Sequence, residues 1–528
     1  MADIKSGYLT PDPAFAEDAA AYAGDNGVAI RGSCDQLAVI IADTDPVYFG
    51  TVAGATSYPT TIRSVGRVTL GSEGQGVPAF LMLERKRCDV LSEAVGTGGG
   101  QGIIVDPATP TDPGIIHVDS SASPATGCNG NNGPAGWAVY SSGIGGGPGI
   151  VANPAGSVPG IIAIHALEIG TPPAAYPSST ATGVSPTPTT GAVVSRAPVD
   201  EKYNPTSSPT ISDLHRNAYL LATRTTAPDA TWTTLTCGDN NGVFTATKIF
   251  VNCPGGFSPD TLTFSSATQV VFNGPVQISN NKSLFMPAAQ QVIVGGSSSQ
   301  GLEVKGGRLG INSTAFLDTD AGVGAACVGR EGPGAGGSNT NTTRLVIFGG
   351  SSTPGALDIS GRAALCQTFV YLAGPKVSSN QTYARQAVTN GTYDPSCTSD
   401  RPCAADSTTS PANARQNAHL VVSGFVRWSA PNQSSTQPAA GAAGIEDLAF
   451  WTETDTLSQV KSGGQVEAFG VFFLPNGRLE MRSPASATPR DAQFISRTLR
   501  LVQGTLRMKP TPGNNVQIPV IRAIALVR

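Results

Sequence analysis

The sequence predicts a mainly β protein whose body is a right-handed parallel β-helix, preceded by a small N-terminal α/β unit. Apolar segments of three to five residues follow one another and end at corner-forming residues, as in QVVFNGPVQISNNKSLFM at residues 269–286. These segments are too short for globular helices, and no helix separates them, which excludes a doubly wound sheet. In a β-helix, coils of three short strands stack so that each covers the apolar side of its neighbour.

A β-sandwich is the alternative architecture. Its strands usually run for about five to eight residues and are joined by hairpin turns such as Asn-Gly. We favour the β-helix because the strands here are shorter and are separated by only two to five corner residues. The residues that we expect in its core are Val271, Val276, Ile278, Leu284, Val292 and Val294, and those that we expect in solvent are Gln269, Gln277 and Lys282.

The composition is that of a folded chain with many turns. Its 63 glycines and 40 prolines make up about a fifth of the 528 residues, against a typical share of roughly 12%. Disorder would require low hydrophobicity and high charge, but 40% of the residues are hydrophobic and only 13% are charged. The net charge of −4 and the pI of about 5.7 create no attraction for polyanions, which excludes nucleic acid as a partner.

The N-terminal unit is predicted to comprise residues 1–79. In TPDPAFAEDAAAYAGDNG, Asp12 can cap a helix, Pro13 suits its first turn, and Gly24 can end it in the left-handed conformation. The remaining elements expected in this unit are a strand at 37–42, a helical turn at 47–54 and the segment 63–70.

The rest of the chain divides into three regions of different amino-acid composition. Residues 80–170 contain short apolar segments between glycines and are expected to form the first β-helix coils in the chain. Residues 171–210 are rich in Pro, Ser and Thr and are expected to form a linker or surface excursion. The main β-helix body is assigned to 211–528, beginning with a short helix at 211–223 and interrupted by a cysteine-containing insertion at about 375–415.

Eight of the nine cysteines fall into pairs that we interpret as disulfide candidates. Inert buried thiols are the alternative. No CxxC occurs, so zinc ribbons and thioredoxin-like sites have no support. The loop positions favour disulfides and an oxidising compartment, and we therefore expect that the chain begins downstream of an export signal. The pairs are Cys88/Cys128, Cys237/Cys253, Cys397/Cys403 and the looser Cys327/Cys366, with Cys34 left alone.

Several segments resemble the bacterial TadE/TadG-like family, which is linked to assembly of Flp (tight adherence) pili. Near the C-terminus these are FGVFFLPNGRLEM and AQFISRTLRLVQGTLRMKP. Upstream they are DLAFWTE, TTRLVIFGG and LCQTFVYLAG, and near the start AEDAAAYAGDNGVAI, VYFGTVAG and RSVGRVTL. The resemblance implies a body outside the cytoplasmic membrane, with pilus components or a cell-surface polymer as partners. Members usually begin with a transmembrane helix, and no such span is predicted here, so we expect a late start, a cut chain or a missing anchor.

Two short motifs suggest metal sites but are better explained as turns. Asp119, Ser121 and Ser123 spell D-x-S-x-S, the ion-binding loop of von Willebrand A domains, but the following PATGCNGNNGPAG cannot form the helix that this site needs. Asp318 and Asp320 begin a calcium-loop pattern that Gly322 and Gly329 break.

No Ser-His-Asp spacing or GxSxG motif appears in the sequence. Asp358 and Arg362 in LDISGRA could face outward at one corner and act on carbohydrate, with an exposed ion pair as the alternative. His117 and His165 lie inside apolar strands, whereas His215 and His419 are isolated. The glycines of 145–149 follow no strand-helix pattern, and Arg497, Arg500, Arg507 and Lys509 are expected on a solvated strand face. We therefore predict no catalytic, cofactor-binding or metal-binding residues.

The sequence thus favours an extracellular or cell-surface, non-enzymatic structural and adhesion protein associated with Flp-type pilus assembly. The alternative is a β-helix protein that binds or cleaves polysaccharide. A long groove lined by carboxylates and exposed aromatic rings would favour the alternative, whereas a smooth polar face would favour the first hypothesis. A cytosolic enzyme is the third hypothesis, which a thiol count could remove.

Overall fold

The fold is mainly β, as the sequence predicts. The structure is a computed structural model, and it describes residues 3–8, 36–46, 57–84, 88–94, 102–120, 137–141, 149–153, 160–165, 183–191, 211–296, 300–317, 325–327, 342–349, 356–374, 420–431, 447–452, 457–485, 491–511, 516 and 518–527. The chain forms two compact units. The first contains Met1–Gly76 and Ile518–Arg528, and the second contains Val77–Gln517.

The first unit contains a four-stranded antiparallel sheet in the order β1-β2-β3-β33. The predicted strand 37–42 lies within β2, and residues 63–70 lie within β3. The C-terminal strand β33, which the sequence analysis placed in the body, pairs with β3. The helix and helical turn predicted at 12–24 and 47–54 lie outside the described residues. The strand bounds are β1 Asp3–Tyr8, β2 Gln36–Pro46, β3 Ser57–Gly76 and β33 Ile518–Val527.

The second unit is a parallel β-helix-like stack with three strands in each complete coil. Each strand pairs in parallel with the corresponding strand of the next coil, which creates three sheets that we call faces 1, 2 and 3. In spatial order, face 1 contains β13 (Thr233–Thr236), β15 (Lys248–Asn252), β17 (Gln269–Phe272), β20 (Gln291–Val294), β23 (Thr343–Phe348), β26 (Thr368–Gly374), β29 (Leu448–Thr452), part of β31 (Gln465–Ala485), part of β32 (Ala492–Met508), β4 (Pro78–Met82), β7 (Ile115–Val118), β10 (Ile161–His165) and β12 (Thr189–Gly191).

Faces 2 and 3 follow the same spatial order. Face 2 contains β18 (Val276–Ile278), β21 (Leu302–Val304), β24 (Leu357–Ile359), β27 (Leu420–Val422), β30 (Leu457–Val460), parts of β31 and β32, β5 (Leu91–Glu93) and β8 (Val139–Ser141). Face 3 contains β14 (Gly242–Phe244), β16 (Thr261–Phe264), β19 (Ser283–Met286), β22 (Arg308–Ile311), β25 (Arg362–Leu365), β28 (Phe425–Ser429), the ends of β31 and β32, β6 (Ile103–Val105), β9 (Ile150–Ala152) and β11 (Val184–Ser185).

The order of coils in space differs from their order in the chain. β32, in the last coil of the C-terminal half, pairs with β4, β5 and β6 of the N-terminal half. The described strands of residues 80–170, β4 to β10, are therefore first in the chain but continue the stack beyond β32. Within the predicted linker 171–210, the described strands β11 and β12 extend the same stack by pairing with β9 and β10.

We call the contact between β32 and the N-terminal coils the seam. The rings of Phe80 and Phe494 stack there at 6.1 Å, and Gln493 donates a hydrogen bond to the Pro78 carbonyl at 2.8 Å. Arg497 Nε lies 2.5 Å from Glu84 Oε2, and both side chains are less than 10% exposed. The seam thus combines strand pairing with apolar and ionic contacts between residues about 400 positions apart.

The interior of the stack confirms most of the predicted core. Val276, Ile278, Leu284, Val292 and Val294 all belong to the main cluster of buried apolar residues. The prediction for Val271 was wrong in direction. Val270 and Phe272 of β17 point inward, so Val271 between them points outward because side chains alternate along a strand. It is nevertheless only 1% exposed.

Val271 belongs to an outer apolar column on face 1. The members occupy matching positions on successive strands, and each is at most 1% exposed. They are Phe250, Val271, Ile293, Val346, Tyr371, Trp451, Phe473, Ile495 and Leu81. Face 1 is therefore apolar and covered on both sides in this region, a pattern known from buried parallel sheets.

The helix predicted at 211–223 forms α1 (Ile211–Ala222) and covers part of this outer side. It contacts β17 and β20. The Tyr219 ring lies edge-on to Phe348 with the ring centroids 6.1 Å apart. Ala218 and Ala222 are buried, so α1 presents small residues to the stack. No helix within the described residues is long and apolar enough to cross a membrane.

Candidate ligand-binding groove

A cavity of about 560 Å³ lies where faces 2 and 3 meet. We call it the corner groove. Its lining extends from Asn281 to Gly463 across successive coils. The middle of the lining is formed by three Gly-Arg or Gly-Phe dipeptides, one from each of three adjacent coils. These dipeptides are Gly307-Arg308, Gly361-Arg362 and Gly424-Phe425. The groove therefore runs along the stack and crosses several coils.

The floor of the groove is bare backbone. A Cβ atom on Gly361 would collide with the Gly307 carbonyl oxygen, and one on Gly424 would collide with the Gly361 carbonyl oxygen. The corners can stack this closely only because these positions lack side chains. The residue after each glycine forms a backbone hydrogen bond to the neighbouring coil. The Arg362 N–H donates to Gly307 O and the Phe425 N–H donates to Gly361 O, both at 2.9 Å.

One wall of the groove comes from face 3. Strand register aligns Arg308, Arg362 and Phe425 at matching positions on β22, β25 and β28. Arg308 is exposed and its guanidinium lies 4.9 Å from the ring centre of Phe316, whereas Arg362 and Phe425 are half-buried. This wall therefore offers two guanidinium groups and one ring edge within three adjacent coils.

The disulfide Cys327–Cys366 lies behind this wall. Cys327 and Cys366 form a small buried cluster with Leu317, Ala326 and Ala364, and Phe425 packs against it. The Thr314 N–H also donates to Ala326 O at 2.9 Å. The disulfide thus ties the loop after β22 to face 3 and supports Phe425.

Face 2 presents carboxylates beside the groove. Glu303 and Asp358 occupy matching, half-buried positions on β21 and β24, and Gln277 donates a side-chain hydrogen bond to Glu303. Burial raises the pKa of Asp358 above its usual value, and the charge of Glu303 adds to this rise. Lys461 and Lys305 oppose it. Asp358 therefore holds its proton more strongly than an exposed aspartate.

The structure brings the predicted pair Asp358 and Arg362 to opposite sides of the same corner. Sequence reasoning missed Glu303, Arg308 and Phe425. The signal was an internal repeat, because GLEVKGGRLG (301–310) and ALDISGRAAL (356–365) align when one glycine is skipped. That alignment places Glu303 on Asp358 and Arg308 on Arg362, and the strand register shows the same pairing.

The other motif residues do not form a described site. His117 Nε2 lies 3.2 Å from Asp119 Oδ1, and both side chains are buried, which agrees with a packed histidine. His215 falls within α1. The described residues contain no group of three or more His, Cys, Asp or Glu that could hold a metal ion. The residues that lie outside the described ranges are Ser121, Ser123, Asp318, Asp320 and His419.

The basic residues near the C-terminus were expected on a solvated strand face. This expectation was wrong for Arg497, which is 5% exposed and paired with Glu84 at the seam. Arg507 forms a two-pronged contact with Asp106 at 2.5 and 3.1 Å. Arg500 is half-buried, and Lys509 is exposed as expected. The difference arises because β4, β5 and β6 stack against β32.

Two of the proposed cysteine pairs form disulfides in the structure, Cys237–Cys253 and Cys327–Cys366. Cys88 is also disulfide-bonded. The first bond joins the end of β13 to the end of β15 and so ties the terminal coil to the next one. Cys34, Cys128, Cys397 and Cys403 lie outside the described residues.

Together, the stack and the groove define a disulfide-bonded parallel β-helix protein with a polar groove on its outer corner. A scan of family models, a search of curated proteins and a search of solved structures each returned no match.

Proposed function

We propose that this chain is an extracellular structural and adhesion protein that acts with Flp-type pili and presents its β-helix to a surface polymer. The observation that carries the proposal is the parallel stack of coils. All three of its faces continue across the seam from β32 to β4, β5 and β6. Backbone hydrogen bonds between coils run along the stack axis, so neighbouring coils share a load applied along it. The role is mechanical and requires no reaction.

Two further observations support this function. The disulfides Cys237–Cys253 and Cys327–Cys366 suit an oxidising compartment, because the cytosol keeps most thiols reduced. Three of the segments that resemble the TadE/TadG-like family lie on face 1, since TTRLVIFGG, LCQTFVYLAG and DLAFWTE contain β23, β26 and β29. These three strands are buried on both sides, so this part of the resemblance falls on residues that hold the stack together.

Deletion of the gene in the producing cell tests this function. We expect surface attachment to fall and the plasmid-borne gene to restore it, while the tagged protein is accessible to protease added outside intact cells. Pilus number, counted by electron microscopy, separates a role in assembly from a role in contact. Unchanged attachment together with a protease-protected, cytosolic protein would refute the proposal.

Polysaccharide cleavage is the second candidate function. It is favoured by the neighbouring carboxylates Glu303 and Asp358 beside the groove and by the raised pKa of Asp358, because glycoside hydrolysis uses one protonated and one ionised carboxyl group. The test is release of reducing ends from polysaccharides by the wild-type chain and by Asp358→Asn. Activity that this substitution abolishes would support an enzyme, and no release by either chain would eliminate one.

A further inference from the structure

We propose that the corner groove binds a linear acidic polysaccharide, with sugar carboxylates on Arg308 and Arg362 and sugar hydroxyls on Ser360 and Ser423. This inference rests on the proposed adhesion function and names the class of surface polymer. The juxtaposition that carries it is the alignment of Arg308, Arg362 and Phe425 along a groove whose lining also includes the hydroxyl groups of Ser360 and Ser423 and a glycine backbone floor.

The groove repeats along the direction in which a polymer would lie. Adjacent coils are separated by about 4.8 Å, the spacing of neighbouring strands in a sheet. Arg308 and Arg362 therefore recur at a step close to the length of one extended sugar residue. A ligand with one anionic group on each sugar can meet both arginines without bending, whereas a compact small anion can reach only part of the groove.

The two arginines lie on the same wall. Arg308 and Arg362 form the face 3 wall of the groove, whereas the exposed Lys305 and Lys461 follow β21 and β30 of face 2 and act on Asp358. A carboxylate can accept paired hydrogen bonds from a guanidinium group, so each wall arginine suits one anionic group of the polymer.

The hydroxyl-rich edge of the polymer distinguishes it from single-stranded DNA. Ser360 and Ser423 line the groove, and Glu303 and Asp358 lie at matching positions on face 2 beside it. Their hydroxyl and carboxylate oxygens can accept hydrogen bonds from sugar hydroxyls, which the phosphate backbone of DNA lacks. Phe425 adds an apolar surface for sugar C–H groups. A uronic acid has both required edges, one anionic and one rich in hydroxyls.

Titration calorimetry with the full chain provides the test. The probes are polygalacturonate and alginate as carboxylated chains, dextran as a neutral chain and single-stranded DNA as a phosphate chain. We expect binding to a carboxylated chain and at least about tenfold weaker binding after Arg308→Ser with Arg362→Ser, because hydrogen bonds to charged groups contribute about 1.5–3 kcal/mol. Lys509→Ser, on an exposed lysine outside the groove lining, is the control and should bind as the wild type does.

Ser360→Asp provides a second variant if the arginine variant does not fold. Ser360 is exposed at the corner turn, so the new charge should weaken binding while the unfolding curve stays unchanged. The inference is overturned if dextran binds as tightly as the carboxylated chains, or if DNA binds more tightly than they do. It is also overturned if neither carboxylated chain binds, or if Ser360→Asp binds with wild-type affinity. If the deletion strain loses attachment but Ser360→Asp restores it fully, the adhesion function stands and the groove is not its binding site.

Discussion

Faces 1 and 2 have the same parallel strand stacking but differ in the polarity and burial of their outward-pointing side chains. On face 1, the outer column from Phe250 to Leu81 is apolar and buried. On face 2, matching positions carry Gln277, Glu303, Asp358, Val421 and Gln459, and all of them except Val421 are partly exposed. The comparison shows which side of the stack is available to a ligand. Face 1 holds the coils together and receives α1, whereas the corner beside face 2 stays open.

The largest expected effect is on the covered side. Trp451 is 1% exposed and its ring meets Phe473 edge-on at 4.9 Å. Trp451→Ala should lower the free energy of unfolding by about 3–5 kcal/mol, because it leaves a cavity between covered surfaces. Urea denaturation measures this loss. Gln459→Ala on face 2 is the matched control, and an equal loss in both variants would contradict the distinction between the faces.

A buried ion pair at the seam should rank second. Arg497→Ala removes a guanidinium contact from the buried Glu84 carboxylate and should cost about 3 kcal/mol in unfolding free energy. Lys282 and Asp260 form a half-buried pair whose side chains are 40% and 43% exposed, so Lys282→Ala should cost under about 1 kcal/mol. Thermal unfolding of both variants compares them, and the idea fails if Lys282→Ala is the more damaging.

Substitutions in the glycine floor of the corner groove should lower stability, whereas a substitution at the exposed Ser360 beside it should not. Gly361→Ala places a Cβ against the Gly307 carbonyl oxygen and should cost about 1–3 kcal/mol, since the close stacking leaves no room for it. Ser360→Ala, one residue earlier and exposed, should change stability by less than about 0.5 kcal/mol. Denaturant midpoints distinguish the two, and similar midpoints would mean that the corner can open.

The smallest expected effect concerns pH. Because the pKa of Asp358 is raised in the folded state, the folded chain keeps this proton at pH values where the unfolded chain has released it. Stability from this group is therefore present in acid and is lost as pH rises through the folded-state pKa. Asp358→Asn should match the wild type in acid and be more stable at neutral pH by under about 1 kcal/mol. Melting curves across pH check this, and a variant that is less stable at neutral pH would contradict it.

Much of the fold could be predicted because its signals are local. Runs such as QVVF and QVIV, interrupted by glycine and asparagine corners, indicate short strands, and α1 follows the predicted helix closely. The error at Val271 had a readable cause. Strands covered on both sides have continuous apolar runs instead of alternation, and QVVF on face 1 is such a run, whereas VQI on face 2 alternates.

The candidate site was predictable only in part. Asp358 and Arg362 were found because they lie four residues apart around one corner. Glu303 and Arg308 lie more than 50 residues upstream, with residues 312–341 intervening, and they join the site only through strand register. Register depends on how coils of unequal length stack, so no local pattern reveals it unless the repeat is aligned first.

The sequence by itself determined the strand lengths, the corners and the β-rich class, because these depend on backbone preferences of a few adjacent residues. Only the tertiary structure decided that β32 stacks on β4, β5 and β6, and that Arg497 is consequently buried against Glu84. The physical reason is that any coil with exposed backbone edges can pair with any other. Which coil pairs with which is decided by contacts between side chains that lie about 400 residues apart in the sequence, such as Arg497 and Glu84.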